Sequence, residues 1–465
     1  MPILKRVYQW LDEQLGIESA IMPILRHPVP RETNWWYVLG SATLVAFIVQ
    51  VVTGVALAFS YVPSPDNAYE SLEFITYQAV LGNVVRGIHF FGSSAMVILI
   101  FIHMVRTFIF AAYKYPRQLT WLVGVILLLM TLGMAFTGQL LRWNQDAYWA
   151  VFVVAEQARR APLIGEILAR IIIAGETVGG ATLTRFYATH VFLIPAVMFG
   201  MIGLHLYLVV RHGISELPLK GRLVDPRTYK RWYDELLHRD GVPFYPFSVF
   251  RDVIFALAIG ALVVLLAVVV GPPELGARAD PTDLGAGPKP DWYFLWLFAL
   301  LALAPPSAED LMIIGIPALA VIALLAVPFI SPFGERSPWR RPWAIAGVTI
   351  AVIALGVLIR AGGQALWSPN FEPGALPATV TQGLSPSAQA GARLFSTRGC
   401  ANCHAIEGVG GQRGPDLTDV GARLDAEQLT WRILYGGVNM PAYGNLLTPS
   451  ENAELVEFLR TLDRR

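Results

Sequence analysis

Two apolar stretches of this 465-residue chain carry histidines in pairs, and that pattern restricts the fold more than any other. RGIHFFGSSAMVILIFIHMVR holds His89 and His103, fourteen residues apart; RFYATHVFLIPAVMFGMIGLHLYLVVR holds His190 and His205, fifteen apart. As a helix, each stretch separates its pair by roughly 21 Å, with both members within about 40–60° of one face. Two such helices side by side present two His–His gaps, one near each face of a bilayer. A lone buried histidine is most often a satisfied core residue. Four in matched registers inside apolar segments point instead to two ligand pairs, the arrangement by which a membrane holds two haems in series.

The rest of the chain supplies the membrane. It is 55% hydrophobic and 15% charged, and its net charge of +1 comes with no basic tract that would suit nucleic acid. Seven stretches are long and apolar enough to cross lipid, at about 35–61, 84–112, 120–141, 187–211, 249–270, 309–330 and 342–362. A shorter run, WYFLWLFALLALA at 292–304, reads as a re-entrant or surface helix, and LKRVYQWLDEQLGI near the start as an amphipathic helix on the membrane surface. Lys5, Arg6, Arg26 and Arg31, then Lys114 and Arg117, the basic 212–248 segment, and Arg336, Arg340 and Arg341 fall in alternate connections, whereas 62–83 has no Lys or Arg. That places the N-terminus in the cytoplasm; the arginines of the long 142–186 loop do not overturn it, because long loops translocate largely regardless of charge. Seven crossings then put the C-terminus outside.

The outer end carries a second chemistry. Both cysteines of the chain lie in Cys400-Ala401-Asn402-Cys403-His404, so no disulfide framework is expected. C-x-x-C-H is the signature of covalent haem c attachment: two thiols add to the haem vinyl groups while the adjacent histidine ligates iron. A zinc or redox pair is the other use of C-x-x-C, and the immediate His with no further cysteine argues against it. Met440, in GGVNMPAYG, is the only methionine of this module; it is either the second iron ligand, a thioether that raises the potential, or a packing residue. Thr448-Pro449-Ser450-Glu451 reads as a capping box opening a terminal helix. The fold expected is all-α: a polytopic membrane bundle with a four-helix diheme core (1–215), a three-span domain (216–362), a linker (363–386) and a soluble α-helical cytochrome c domain (387–465).

On these motifs residues 1–362 resemble the cytochrome b of quinol:cytochrome c reductases, closer to the b6f type, which has the fifteen-residue His spacing and lacks an eighth span. The chain is similar to b6 joined to the subunit that is separate in b6f complexes, with a class I-like cytochrome c behind. The resemblance implies that His89 and His190 ligate an outer haem b, and His103 and His205 an inner one. Bis-histidine ligation suits electron transfer rather than oxygen chemistry. Gly40 and Gly54, and Gly124 and Gly138, repeat the fourteen-residue interval, either to admit a haem ring or as ordinary small-residue helix packing. Arg86, Arg106 and Arg185 sit at span ends, as haem-propionate partners or as plain interfacial arginines.

Pro290-Asp291-Trp292-Tyr293 resembles the family's P-E-W-Y motif with Asp for Glu. The resemblance makes that carboxylate the proton acceptor in quinol oxidation, and the shorter Asp points toward menaquinol. Tyr148 and Trp149 are expected to line the same pocket, with Arg142 where a proline is usual. Val38 stands where b6 has the cysteine that binds an extra haem, and Phe90 follows His89 where b6 has an arginine; Arg211 is the one suggestion for the inner quinone site. The implied cofactors are two haems b and one covalent haem c, with quinol and quinone as substrates. The implied partners are a separate Rieske iron–sulfur protein, a cytochrome c-type acceptor, lipid and a second copy of the chain in a homodimer. The implied location is a bacterial inner membrane with the c domain on the periplasmic side. A diheme anchor for a quinone-linked dehydrogenase and a membrane haem-transport protein are the other readings; neither uses Pro290–Tyr293.

Overall fold

The computed structural model describes residues 2–175, 177–280, 288–304, 308–364, 374–411, 414–437, 440–444 and 446–463. Seven helices in it are long and apolar enough to cross a membrane: α1 (Leu39–Ala58), α2 (Gly82–Ile109), α3 (Gln118–Leu140), α4 (Gly180–His212), α5 (Val249–Val269), α6 (Leu311–Ile330) and α7 (Pro342–Gln364). They match the seven expected spans one for one. Side chains such as Val52, Leu265 and Ile350 stand exposed along them, as helices whose outer solvent is lipid require. The expected surface helix appears as Pro2–Leu15. The short apolar run forms Leu295–Leu303 and packs on α7, where a Cβ added at Gly362 would stand 2.4 Å from the Leu295 carbonyl oxygen.

α4 is not a uniform α-helix. Thr189–Leu193 forms a π turn just ahead of Pro195. Proline has no N–H to give and its ring crowds the carbonyl four residues back, and one extra residue in the turn relieves both problems. That extra residue lies between His190 and His205. It absorbs the difference between fifteen and fourteen, so both pairs fall into the same register rather than on faces of opposite drift.

The bundle packs α1 and α5 against α2, and α4 against α3. Leu39, Ala42, Phe47, Met96, Leu99 and Met198 form a core between them. A Cβ at Gly87 of α2 would lie 2.9 Å from Ala267 of α5, so that contact is made backbone to side chain. At the expected outer face the segment after α5 is strapped across the first four helices. Tyr69 donates to the Gly276 carbonyl (2.7 Å), Asn144 to that of Leu275 (2.6 Å), and the Gln145 amide to that of Ala277 (3.0 Å). At the expected inner face Pro28–Pro30 pairs with Gly241–Pro243, and Leu223–Val224 with Gly334–Glu335. Beside them the buried Glu216 ion-pairs with Arg336 and accepts from Tyr229 (2.7 Å), which itself accepts from Arg117 (2.8 Å). Burial alone would raise the Glu216 carboxyl, but Arg336 and Arg117 outweigh it and hold it below its ordinary value.

The expected linker overlaps residues 365–373, which lie outside the described residues. Beyond it, α8 (Pro386–Thr397), α9 (Ala426–Tyr435) and α10 (Pro449–Arg460) enclose a separate core of Phe395, Ile406, Leu455 and Phe458, with the two phenyl rings 5.9 Å apart. The capping box is formed: the Glu451 amide donates to the Thr448 hydroxyl, and the Glu451 carboxylate accepts from the Thr448 amide (2.8 Å).

Glu216→Gln strands the Arg336 charge in the protein and is expected to cost about 3–5 kcal/mol, read as a lower unfolding temperature of the purified protein. Because the folded-state value is depressed, that stabilisation is present above the unfolded carboxylate value of about 4.3 and is lost as pH falls below it. The difference between wild type and variant therefore closes in acid.

Candidate functional site

Each of the four histidines lies against one of the four glycines. A Cβ added at Gly54 would stand 3.3 Å from His89 Cε1, at Gly138 2.7 Å from His190, at Gly40 3.2 Å from His103, and at Gly124 3.5 Å from His205. The glycines of α1 and α3 thus make room first of all for the imidazoles of α2 and α4. The His89 and His190 rings are 6.4 Å apart at 78°. Two metal–imidazole bonds of about 2 Å each plus the ring radii come to roughly that separation. Thr53 and Thr137, which the sequence reading passed over, touch the Nδ1 atoms of these rings at 2.9 and 3.0 Å.

This outer pair opens into a cavity of about 250 Å³ that continues to Arg86, Arg142, Asp291 and Tyr293. Pro290, Trp292, Tyr148 and Trp149 do not line it. Tyr148 is buried against Trp149 (rings 5.4 Å apart), and the Trp292 indole donates to Ser94 (3.2 Å). Asp291 sits in this cavity because its backbone is held at both sides: the Lys289 amide donates to Asp146 (3.0 Å) and the Asp291 amide to Gln139 (3.3 Å). Its carboxylate is not left facing an apolar wall. One oxygen accepts from Arg142 (2.9 Å), the other from the Tyr293 hydroxyl (2.8 Å), and the ion pair is only 17% exposed on either side. The two departures from the family pattern, Asp for Glu and Arg for Pro, are therefore contact partners.

Of the three arginines, Arg86 reaches the cavity, anchored by Thr76 (3.2 Å) and the Pro273 carbonyl (2.8 Å). Arg185 does not: it is exposed and donates to the Ile171 carbonyl (2.7 Å). Arg106 is 8% exposed, its guanidinium 3.7 Å from the Tyr37 ring centre, and its Nε and Nη2 have no hydrogen-bond partner among the described residues. Near the inner pair, Asp252 of α5 lies beside Ser41, the neighbour of Gly40. Arg211 lies exposed, donating to Tyr207 (3.2 Å). Val38 is buried at the start of α1, and Phe90 lines the outer cavity.

In the C-terminal domain Cys400 and Cys403 form no disulfide, and the His404 ring donates through Nδ1 to the Pro415 carbonyl (2.8 Å). Burial pushes His404 below its ordinary value, the Pro415 bond opposing, so its Nε2 lone pair is available to a metal. A Cβ at Gly414 would stand 2.5 Å from His404 Cε1, so the loop closes on the ring only with glycine there. Met440 is half-buried and its backbone pairs with Gly437 in both directions (3.0 and 3.1 Å), after a turn at Gly436 with φ +73°.

These residues fit haem. Among the described residues no group of three or more His, Cys, Asp or Glu converges on one point. Imidazoles offered in twos suit an iron already held in a macrocycle. The orphaned donors of Arg106 and of Gln50 Nε2, which lines the outer cavity, suit polar groups of a bound ligand. The glycine contacts grade the sites: Gly138→Ala drives a methyl into His190 and is expected to lose one of two b haems per chain, whereas Gly124→Ala, at ordinary contact distance, keeps both. The haem content of the purified variants reads this directly.

Comparison with known proteins places the chain. Residues 24–213 match the family model for cytochrome b/b6/petB, and residues 386–459 that for cytochrome c oxidase, cbb3-type, subunit III. Cytochrome b of Allochromatium vinosum is 31% identical over 366 residues, covering 75% of this chain and 87% of that protein. The menaquinol:cytochrome c reductase cytochrome b subunit of Bacillus subtilis is 38% identical over 222 residues, 46% of this chain and 99% of its own length. A solved chain of a hyperthermophilic respiratory Complex III superposes with a TM-score of 0.65 at 27% identity, covering 77% of this chain and 91% of that one. The chain belongs to the cytochrome b/b6 family and is a multi-pass membrane protein that carries a cytochrome c domain behind its b6f-like membrane portion.

Proposed function

We propose that the chain is the cytochrome b/c subunit of a proton-translocating, Rieske-type quinol:cytochrome c oxidoreductase. It oxidises quinol at the outer site, sends one electron to a Rieske iron–sulfur protein and the other across the membrane to an inner quinone site. The single observation that carries this reading is the cavity shared by the outer histidine pair and Asp291. A diheme anchor or a haem transporter has no use for a carboxylate opening onto the same space as two ligand histidines. The Bacillus subtilis relative names menaquinol as its substrate, and with the Asp at position 291 this favours menaquinol here.

His89 with His190, and His103 with His205, hold two b haems, and Cys400, Cys403, His404 and Met440 hold one c haem; when bound, these groups supply one-electron transfer. The protein's own part in quinol oxidation is proton handling and placement. Asp291 takes a quinol proton at a carboxylate oxygen after that oxygen is freed from Arg142 or Tyr293. Arg142 and Tyr293 hold the acceptor in position until quinol arrives; Asp291 then releases the proton to the outer side, and its carboxylate re-pairs with Arg142. Tyr293, 7% exposed, and Phe90 give the cavity apolar wall beside the carboxylate. Arg86 supplies a fixed positive charge at the wall for an anionic propionate. The c domain, tethered after α7, takes the place of a diffusing acceptor for the Rieske electron, at an effective concentration set by the linker. The proposed assembly is a homodimer in a bacterial inner membrane with lipid around it, the N-terminus cytoplasmic, and the c domain periplasmic. It hands electrons to a further cytochrome c-type acceptor.

Two measurements follow. Asp291→Asn keeps the shape of the side chain and removes the proton acceptor. Quinol-dependent cytochrome c reduction is expected to fall by about 10²–10⁴-fold with haem content unchanged; full activity removes Asp291 from the site. In the complex with its inner quinone site blocked, adding an oxidant to quinol-poised enzyme is expected to increase b-haem reduction, because one electron can leave outward only as the other enters the b chain. A diheme anchor gives simple oxidation instead.

A further inference from the structure

The residue before each histidine-facing glycine differs between the two ends of the bundle. At the outer pair the dipeptides are Thr53-Gly54 and Thr137-Gly138; at the inner pair they are Leu39-Gly40 and Val123-Gly124. The two threonines are buried, 8% and 5% exposed. Thr53 Oγ1 donates its one proton to the Val49 carbonyl (2.7 Å) and lies 2.9 Å from His89 Nδ1. Thr137 Oγ1 donates to the Gly133 carbonyl (2.8 Å) and lies 3.0 Å from His190 Nδ1. A hydroxyl whose proton is committed to a helix carbonyl can only accept from the ring. Both outer imidazoles therefore carry their proton on Nδ1 and keep a bare Nε2 for iron. Among the described residues no side chain hydrogen-bonds either ring of the inner pair, and the buried His205 Nδ1 has no hydrogen-bond partner.

We infer that Thr53 and Thr137 are positioning residues of the outer site, which lock the tautomer of both ligands and lower that site's midpoint potential. The inference rests on the reading that the paired histidines ligate haem. A hydrogen bond accepted from Nδ1–H makes Nε2 a more basic ligand, and a more basic ligand favours the more positive, oxidised iron. Because each hydroxyl is itself polarised by donating to a carbonyl, the two bonds in each chain strengthen one another. Leu39 and Val123 have nothing to offer in the same place.

The test is potentiometric measurement of the b-band absorbance in the purified complex, with haem b per chain determined on the same samples. Thr53→Val and Thr137→Val are expected to raise the lower of two b midpoints by a fewfold to tenfold change in its one-electron equilibrium, tenfold being about 59 mV. The upper midpoint stays fixed. Thr→Ser, which keeps the hydroxyl, restores the wild-type value. Two b haems per chain with an unmoved lower midpoint in both valine variants overturns the inference and leaves the ligand assignment standing. Fewer than two b haems in wild type overturns the ligand assignment itself. Where valine empties the outer site, Thr53→Cys, a weaker acceptor of similar size, carries the same expectation, and an unchanged midpoint there overturns it.

Discussion

Everything in the membrane half of this protein follows from placing four imidazoles inside an apolar bundle. A polar ring in hydrocarbon needs a partner at each nitrogen. The outer rings meet that demand on one side with a threonine and leave the other nitrogen facing across a gap of iron-binding width. The rings also need volume, and Gly40, Gly54, Gly124 and Gly138 supply it by removing the side chains that α1 and α3 would otherwise point at them. Helix spacing is thereby dictated by the ligands. The π turn in α4 belongs to the same constraint, since its extra residue brings His190 and His205 into the register of His89 and His103.

The outer end turns this frame into a site for chemistry. Hydrogen bonds from Tyr69, Asn144 and Gln145 hold the segment after α5 across the first four helices, and Asp146 and Gln139 fix the backbone of the Asp291 turn. The halves that resemble two separate subunits are joined at the other end by the pairing of Pro28–Pro30 with Gly241–Pro243 and by Arg117, which donates to Tyr229. Asp291 is a methylene shorter than the family's usual Glu, and Arg142 fills the room with a charge rather than the usual proline. Substituting either one alone leaves a half-buried charge without its counter-ion, so the pair is expected to change together.

Much of this was legible in the chain. The seven spans were, because hydropathy over about twenty residues is a local property; the four histidines and their glycines were, because a fourteen-residue interval keeps a helix face. The capping box of α10 was readable for the same local reason. What escaped depends on contacts distant in sequence or on one atom. Arg142 meets Asp291 across 149 positions, and nothing near either one announces the other. Thr53 and Thr137 look like ordinary membrane threonines until the rings beside them are placed. Arg185, read from its place at a span end as either a propionate partner or an interfacial arginine, turns to a loop carbonyl, and Tyr148 and Trp149 pack on each other beside the cavity instead of lining it. Position along a helix fixes depth in the membrane but not which way a long side chain bends.

A pyridine haemochrome spectrum of the purified protein counts the cofactors that the paired histidines and the C-x-x-C-H motif would hold. Two haems b and one haem c per chain agree with two bis-histidine sites, one C-x-x-C-H site and the absence of a cysteine at Val38. One haem b per chain contradicts the paired-histidine frame on which the whole account is built.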